Sequence, residues 1–333
     1  MKTARIELHI HLDGSLNIDW AYKASLRQKI IPADCTFEEY YEMLYKRNFM
    51  TRSESIKKFE LVCDILQTRA DLFDAAYRLT ETMAKRGIIY AEIRFASQQH
   101  TKRGLTQKEA LQAVIDGAKA AEINFPSIQT GIINCLMHKG DSAAFNDAEN
   151  RETIQVTREL LGKGAVGLDL AGYENNCDFK EYAPYFRLAK ELGIPFTVHA
   201  GEMGIAEHVK DALDFGADRI GHGVNAADDP ELLEELVKRQ IPLEVCVTSN
   251  IKDTLDYANH PVKKLIRSGA KITLNTDNMI FAKTDLSNEH AQLEMIGITE
   301  NELKQCTYNA VDAAFLDEKT KTELREKLRK LMK

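Results

Sequence analysis

No CxxC pair occurs in the chain, and its six cysteines, at 35, 63, 135, 177, 246 and 306, stand far apart. Neither a disulfide-stapled scaffold nor a thiolate metal knot is expected, and the cysteines read as reduced, mostly buried small hydrophobes. No segment approaches the roughly 20 consecutive apolar residues that span a bilayer. The opening MKTARIELHIHLDG runs into a patterned segment without an apolar core and a small-residue cleavage site. A secretory signal is therefore not expected, and the reducing cytoplasm is the expected compartment. Basic blocks are missing too: 44 Lys and Arg face 51 Asp and Glu, for a net charge of −7. That balance argues against binding a nucleic-acid backbone and favours a free small molecule, with no membrane or obligate protein partner implied. The first β-rich run ends in HLDG, not in a GxGxxG turn, so the phosphate-cradling signature of a doubly wound sheet is absent.

What is present is a long alternation. With 333 residues, 44% of them apolar, the chain can bury one sizeable core, although its length would also permit two domains. β-rich runs fall at 5–12, 88–95, 129–137, 165–171, 195–200, 219–224, 242–249 and 271–276, and helical patterns such as LTQKEALQAVIDGAKAAEI and DDPELLEELVKRQ separate them. From the second run onward the spacing is that of a βα unit, in which a parallel strand needs a helical crossover. Eight such runs predict an α/β fold, a single (β/α)8 TIM barrel, with chemistry where the strands end. The interval 17–87 reads as a helical insertion after strand 1, with one helix around FEEYYEMLYKR and another over 53–85. Phe49, Ile56, Phe59, Val62 and Leu66 would form an apolar cover over the barrel mouth, or simply pack the helix pair into the core. The chain closes in C-terminal helices, the charged stretch 320–333 reading as solvated.

Unusual polar residues fall at the predicted strand ends. His9 and His11, two apart on one strand, leave the same face and could converge on an ion or satisfy internal hydrogen bonds. His199, His222 and Asp277 end three other runs, so independent strands supply one cluster of nitrogen and oxygen donors. Such a set suits zinc that retains a position for water, with iron and manganese left open. Glu202 lies three residues beyond His199, as a proton donor in a dry pocket or as a helix N-terminal carboxylate beside the amides of Met203 and Gly204. Gly172 and the glycines of HAGE and GHG would let backbone approach a flat substrate. The remaining histidines, 100, 138, 208, 260 and 290, read as structural or surface residues.

HIHLDGS (9–15), YAEIRFAS (90–97), GLDLAG (167–172), VHAGE (198–202), RIGHG (219–223), CVTSN (246–250) and LNTDN (274–278) together make the chain resemble the adenosine deaminase family over nearly its whole length. The resemblance implies a single metal-dependent aminohydrolase barrel over 1–333 and one Zn2+ held by His9, His11, His199 and Asp277. It further implies catalytic roles for Glu202, His222 and Asp277, with Glu202 protonating purine N1 while Asp277 and His222 orient and deprotonate the attacking water. Substrate contacts would come from His11, from Asp13 at the ribose and from the Gly172 amide at the purine. The expected reaction converts adenosine, with 2′-deoxyadenosine, to inosine and ammonia without a redox cofactor.

One departure stands out. Members of the family commonly carry two aspartates after the eighth strand, whereas here Asn278 follows Asp277. Asparagine at 278 can donate a hydrogen bond to purine N7 without a proton on either group. The other readings are deamination of adenine or another 6-aminopurine, and a silent purine-binding barrel. Asp13, which could pair with a sugar hydroxyl, speaks for a nucleoside; Glu202 and His222 together speak for catalysis. The H-x-E…PCxxC zinc signature of cytidine and RNA-editing deaminases is absent.

Overall fold

A computed structural model describes residues 5–45, 52–203, 205–251 and 254–332. Eight strands alternate with helices: β1 (Arg5–His11), β2 (Ile88–Phe95), β3 (Gln129–His138), β4 (Ala165–Gly172), β5 (Thr197–Ala200), β6 (Arg219–His222), β7 (Leu243–Val245) and β8 (Ile272–Leu274). Each pairs in parallel with its sequence neighbour, β1 to β4 forming one half and β5 to β8 the other. Parallel bridges join the halves on both sides, Leu168 to Phe196 and Ile10 to Asp277, the second reinforced by reciprocal backbone bonds of 2.9 Å from His11 N to Asp277 O and from Asp277 N to His9 O. The sheet is therefore closed, as the eight runs predicted. Both faces of such a sheet are covered, which is why IIYAEIRF of β2 is buried at every position.

Local chemistry sets the crossovers. The helix Gln107–Asn124 starts in a reciprocal capping box between Thr106 and Glu109, and Glu207–Phe215 ends at Gly216 in the left-handed region, φ +79°. Helices Arg69–Lys85 and Gln107–Asn124 pack so closely that a Cβ at Gly117 would lie 2.2 Å from the Phe73 carbonyl oxygen.

Four elements differ from expectation. The helix predicted over 53–85 is two, Arg52–Ile65 and Arg69–Lys85, because Thr68 caps the second while Gln67 Nε2 bonds to the carbonyls of Cys63 and Gln99 at 2.7 and 2.9 Å. A further helix, Ile18–Arg27, opens the interval. Strand 7 stops at Val245, and the β-prone CVTS that follows turns into the helical turn Val247–Asn250, which carries Ser249 and Asn250 toward the barrel mouth. The terminal helix Glu318–Leu331 is not wholly solvated: Leu324 and Leu328 are buried with Ile6, Leu8 and Val311. Of the residues expected to cover the mouth, Val62 and Leu66 are buried and the Phe59 ring meets Phe281 edge-on at 4.7 Å. Phe49 and the Ile56 side chain lie outside the described residues.

Candidate metal centre and active site

His9 and His11 project from β1, His199 from β5, His222 closes β6, and Asp277 follows β8. Ligand atoms of His9, His199, His222 and Asp277 lie within 4.8 Å of one another, all four residues buried. His11 adjoins them, its Nε2 3.3 Å from His199 Nε2 and 3.2 Å from Asp277 Oδ1. Sequence reasoning placed His11 in the metal set and His222 beside it; the structure gathers both. Two of these residues adopt left-handed backbone without being glycine, His222 at φ +63° and Asp277 at φ +61°. Strain of this kind persists only where surrounding bonds over-determine the conformation.

Those bonds also orient the rings. His9 Nδ1 lies 2.8 Å from Glu244 Oε2, and His199 Nδ1 lies 2.9 Å from Asp169 Oδ2. A carboxylate accepts, so each Nδ1 carries the hydrogen and each Nε2 is left with a lone pair. His9 Nε2 is buried with no hydrogen-bond partner among the described residues, an orphan that a cation would satisfy. Burial and the neighbouring histidines hold the His11 imidazole well below its usual pKa, hence neutral, although Asp277 opposes the shift. Ser249 donates to Asp277 Oδ2 at 2.5 Å, leaving Oδ1 toward the histidines. Burial alone would raise the Asp277 carboxyl, but the surrounding histidines, His9 first, hold it well below the ordinary carboxylate range. The cluster is suited to one Zn2+ ion.

His222 is wired differently. Val262 N–H donates to His260 Nδ1 at 3.1 Å, His260 Nε2 therefore donates to Asn250 Oδ1 at 3.3 Å, and Asn250 Nδ2 donates to His222 Nδ1 at 3.1 Å. This chain assigns the hydrogen of a neutral His222 to Nε2. That atom has no hydrogen-bond partner among the described residues and stands 3.7 Å from Glu202 Oε2.

Beneath the cluster the barrel is filled with paired charge. Arg94, wholly buried in β2, reaches Asp169 at 2.9 Å, Glu244 at 2.8 Å and the Leu8 carbonyl at 2.6 Å. Arg219 bonds Glu244 and Glu92, both at 2.6 Å, with its guanidinium 3.7 Å over the Phe315 ring. Burial would raise Asp169 and Glu244, yet His199 and Arg94 hold the first, and Arg94 and Arg219 the second, well below the usual range. Both carboxylates thus stay ionised behind the histidines they orient.

At the rim, Asp13 is 5% exposed and accepts from the Gly14 amide at 3.0 Å. A Cβ at Gly14 would fall 1.7 Å from Asn278 Oδ1, so any larger residue there would have to displace the Asn278 side chain. Gly172, at φ +118°, ends β4. The amides of Gly201, Glu202 and Met203 are bound by one carboxylate, Glu174, at 2.5, 3.0 and 3.0 Å, and His208 Nδ1 reaches it at 2.7 Å. Of the two amides expected beside Glu202, that of Met203 is taken by Glu174, and the next helix begins only at Glu207. Gly204 lies outside the described residues.

Sequence reasoning missed Glu174, Arg94, Asp169, Glu244, Ser249 and Asn250. A usable signal existed for three of them: Arg94, Asp169 and Glu244 are charges inside otherwise apolar parallel strands, which burial tolerates only when paired. His208 and His260, read as structural, buttress Glu174 and Asn250.

A closed parallel barrel with buried histidines and an aspartate at its C-terminal strand ends defines a metal-dependent hydrolase of the amidohydrolase class. The family model described as Adenosine deaminase matches residues 4–331. An adenosine deaminase of Haemophilus ducreyi is 35% identical over 326 residues, covering 96% of this chain and 94% of that protein. One from Clostridium perfringens strain SM101 is 33% identical, covering 98% and 96%. Among solved structures, an adenine deaminase from Arthrobacter aurescens superimposes with a TM-score of 0.86 at 24% identity, covering 98% of each chain. An Arabidopsis N6-mAMP deaminase does so with a TM-score of 0.85 at 24% identity, covering 99% and 98%. At that identity these two share the fold. The chain belongs to the adenosine deaminase family, and its activity is hydrolytic deamination of a purine ring.

Proposed function

We propose that this chain hydrolyses adenosine, and 2′-deoxyadenosine with it, to the corresponding inosine and ammonia in the cytoplasm. The observation that carries this reading is Asp13, a buried carboxylate two residues beyond His11 whose Gly14 neighbour keeps the backbone clear. Such a group accepts a hydrogen bond from a sugar hydroxyl, which adenine does not have. No helix among the described residues is long and apolar enough to cross a membrane.

In this reading His9, His11, His199 and Asp277 hold the zinc, because the carboxylate-backed rings present lone pairs, whereas His222 presents an N–H. When bound, the ion supplies the Lewis acidity that makes water a nucleophile near neutral pH. His222, through its Nε2 hydrogen, and Asp277 orient the attacking water, Asp277 accepts its proton, and Glu202 delivers a proton to purine N1 as C6 is attacked. The Gly172 amide and the Asn278 side chain hold the purine, Asn278 donating to N7, while His11 lines the same cavity. The helices of 17–87 act as a cover, through Cys63 beside Asp13 and Phe59 against Phe281.

A second reading, adenine or another 6-aminopurine, is supported by the adenine and N6-mAMP deaminases that share the fold. Measuring kcat/KM for adenosine, 2′-deoxyadenosine, adenine and AMP separates the two. Burial raises the Asp13 carboxyl to about 6, so kcat/KM for adenosine should climb as pH passes about 6 and the carboxylate forms. Asp13→Ala should abolish that climb and penalise adenosine far more than adenine. Equal proportional losses on both substrates would reject the sugar role.

A further inference from the structure

Beside the catalytic cluster lies a second constellation, of which the proposed reaction uses only Asp13. One carboxylate oxygen of Asp13, the thiol of Cys63 and a ring nitrogen of His100 lie within 4.8 Å of one another, and all three residues are buried. Cys63 Sγ is 3.8 Å from Asp13 Oδ2 and 3.7 Å from Gln99 Oε1. His100 is wholly enclosed, and its Nδ1 bonds to the Leu66 carbonyl at 2.9 Å. A carbonyl only accepts, so Nδ1 carries the hydrogen and Nε2 the lone pair, and Nε2 has no hydrogen-bond partner among the described residues. A buried imidazole with an unmet lone pair, a thiol and a carboxylate form a mixed N, S, O donor set, which favours soft or borderline divalent ions over Mg2+ or Ca2+.

We propose that Asp13, Cys63 and His100 form a second cation site, selective for zinc and cadmium, that fills only at surplus metal and then inhibits the enzyme by withdrawing Asp13 from the substrate. Filling requires the thiol to release its proton to solvent as the sulfur–metal bond forms, with no change of oxidation state. Burial and the nearby Asp13 both favour the protonated thiol, so the site yields to the catalytic cluster when metal is scarce. Burial keeps the His100 imidazole neutral, as a ligand must be, by lowering it to about 4. The inhibitory half of the proposal rests on the assignment of Asp13 to the sugar; the metal-binding half does not.

The test starts from enzyme loaded with one equivalent of zinc and adds Cd2+ or further Zn2+. Bound metal is counted by equilibrium dialysis, and the thiolate-to-cadmium charge-transfer absorption is recorded, a signature that the histidine–aspartate cluster cannot produce. The wild type should take a second equivalent with that absorption and lose adenosine turnover as it fills. His100→Gln should keep basal turnover, and both it and Cys63→Ala should keep the first equivalent, fail to take the second, and hold their own turnover at surplus metal. Absence of a second equivalent in the wild type, or its survival with unchanged absorption in both variants, overturns the site. Loss of the second equivalent in both variants, with wild-type turnover of adenosine indifferent to surplus metal, would support the site and overturn the sugar role of Asp13 instead.

Discussion

Replacing Glu174 with alanine should separate the positioning of Glu202 from metal binding. The carboxylate is 4% exposed and gathers three consecutive amides and the His208 ring. Two of its four partners, the Gly201 amide and His208 Nδ1, are on buried residues, whereas Met203 is exposed and its amide can turn to water. Hydrogen bonds to a charged group contribute about 1.5–3 kcal/mol each, so losing the two buried ones, with partial relaxation, costs about 3 kcal/mol. At roughly 2.1 cal/mol/K per residue of unfolding entropy, that lowers Tm by about 4 °C. The catalytic effect should exceed the thermal one. A displacement of about 1 Å in the loop bearing Glu202 is enough to cost on the order of 10²-fold in kcat. Zinc content should stay at the wild-type level, since Glu174 touches none of the metal residues. Glu174→Gln should recover part of the loss, because its amide oxygen still accepts while its nitrogen opposes an N–H. Thermal denaturation, elemental analysis and steady-state kinetics on the three proteins make the comparison. An alanine variant with wild-type kcat, or one that loses zinc in proportion to activity, would refute the reasoning.

Alanine at His9, His11, His199 or Asp277 should lower zinc occupancy and turnover together, while His222→Ala keeps its zinc; elemental analysis of dialysed protein reads both. Asn250→Asp should turn the donor facing His222 Nδ1 into an acceptor, move the ring hydrogen to Nδ1 and leave Nε2 with a lone pair; a lower kcat with retained zinc, and a shifted imidazole nitrogen resonance, are the expected signs. Burial raises Glu289 to about 7, so the folded state holds its proton more tightly than the unfolded chain does. Stability from this group is complete below about pH 4.3 and lost as pH rises through about 7, so Glu289→Gln should gain roughly 2 to 3 kcal/mol on the wild type between pH 5 and pH 8 in urea denaturation.

The barrel was legible because its periodicity is carried by whole strands: the eight buried positions of IIYAEIRF cannot be mistaken for a surface segment. Boundaries were less so. CVTS has the composition of a strand, but continuing β7 through it would keep Ser249 and Asn250 in the sheet, whereas the turn Val247–Asn250 brings one to Asp277 and the other to His222. Likewise the continuous helical pattern over 53–85 hid a break that depends on a cap at Thr68 and on Gln67 reaching the Gln99 carbonyl, a partner 32 residues away. The metal residues could be read because HxH places two rings on one face and the others end strands. Their supporting carboxylates could not be paired from sequence, since Arg94 and Glu244 meet across 150 residues.

The partner behind each imidazole, more than its distance from the cluster centre, sorts the histidines by task. His9 and His199 each have a carboxylate behind Nδ1, which commits the far nitrogen to a lone pair and makes the ring a better donor to a cation. His222 has an amide behind it, itself fixed by His260 and the Val262 backbone, and is left with a hydrogen to offer. Proximity alone would rank His222 with the ligands, since it lies within the same 4.8 Å as His9, His199 and Asp277. Hydrogen-bond accounting ranks it with Glu202, 3.7 Å away, among the groups that handle protons. The two carboxylates are kept ionised by Arg94, which bridges Asp169 and Glu244 from below, so one buried guanidinium supports both ligating rings at once. Such a charge, wholly enclosed, costs several kcal/mol to desolvate, so orienting the two rings accounts for it better than stability does.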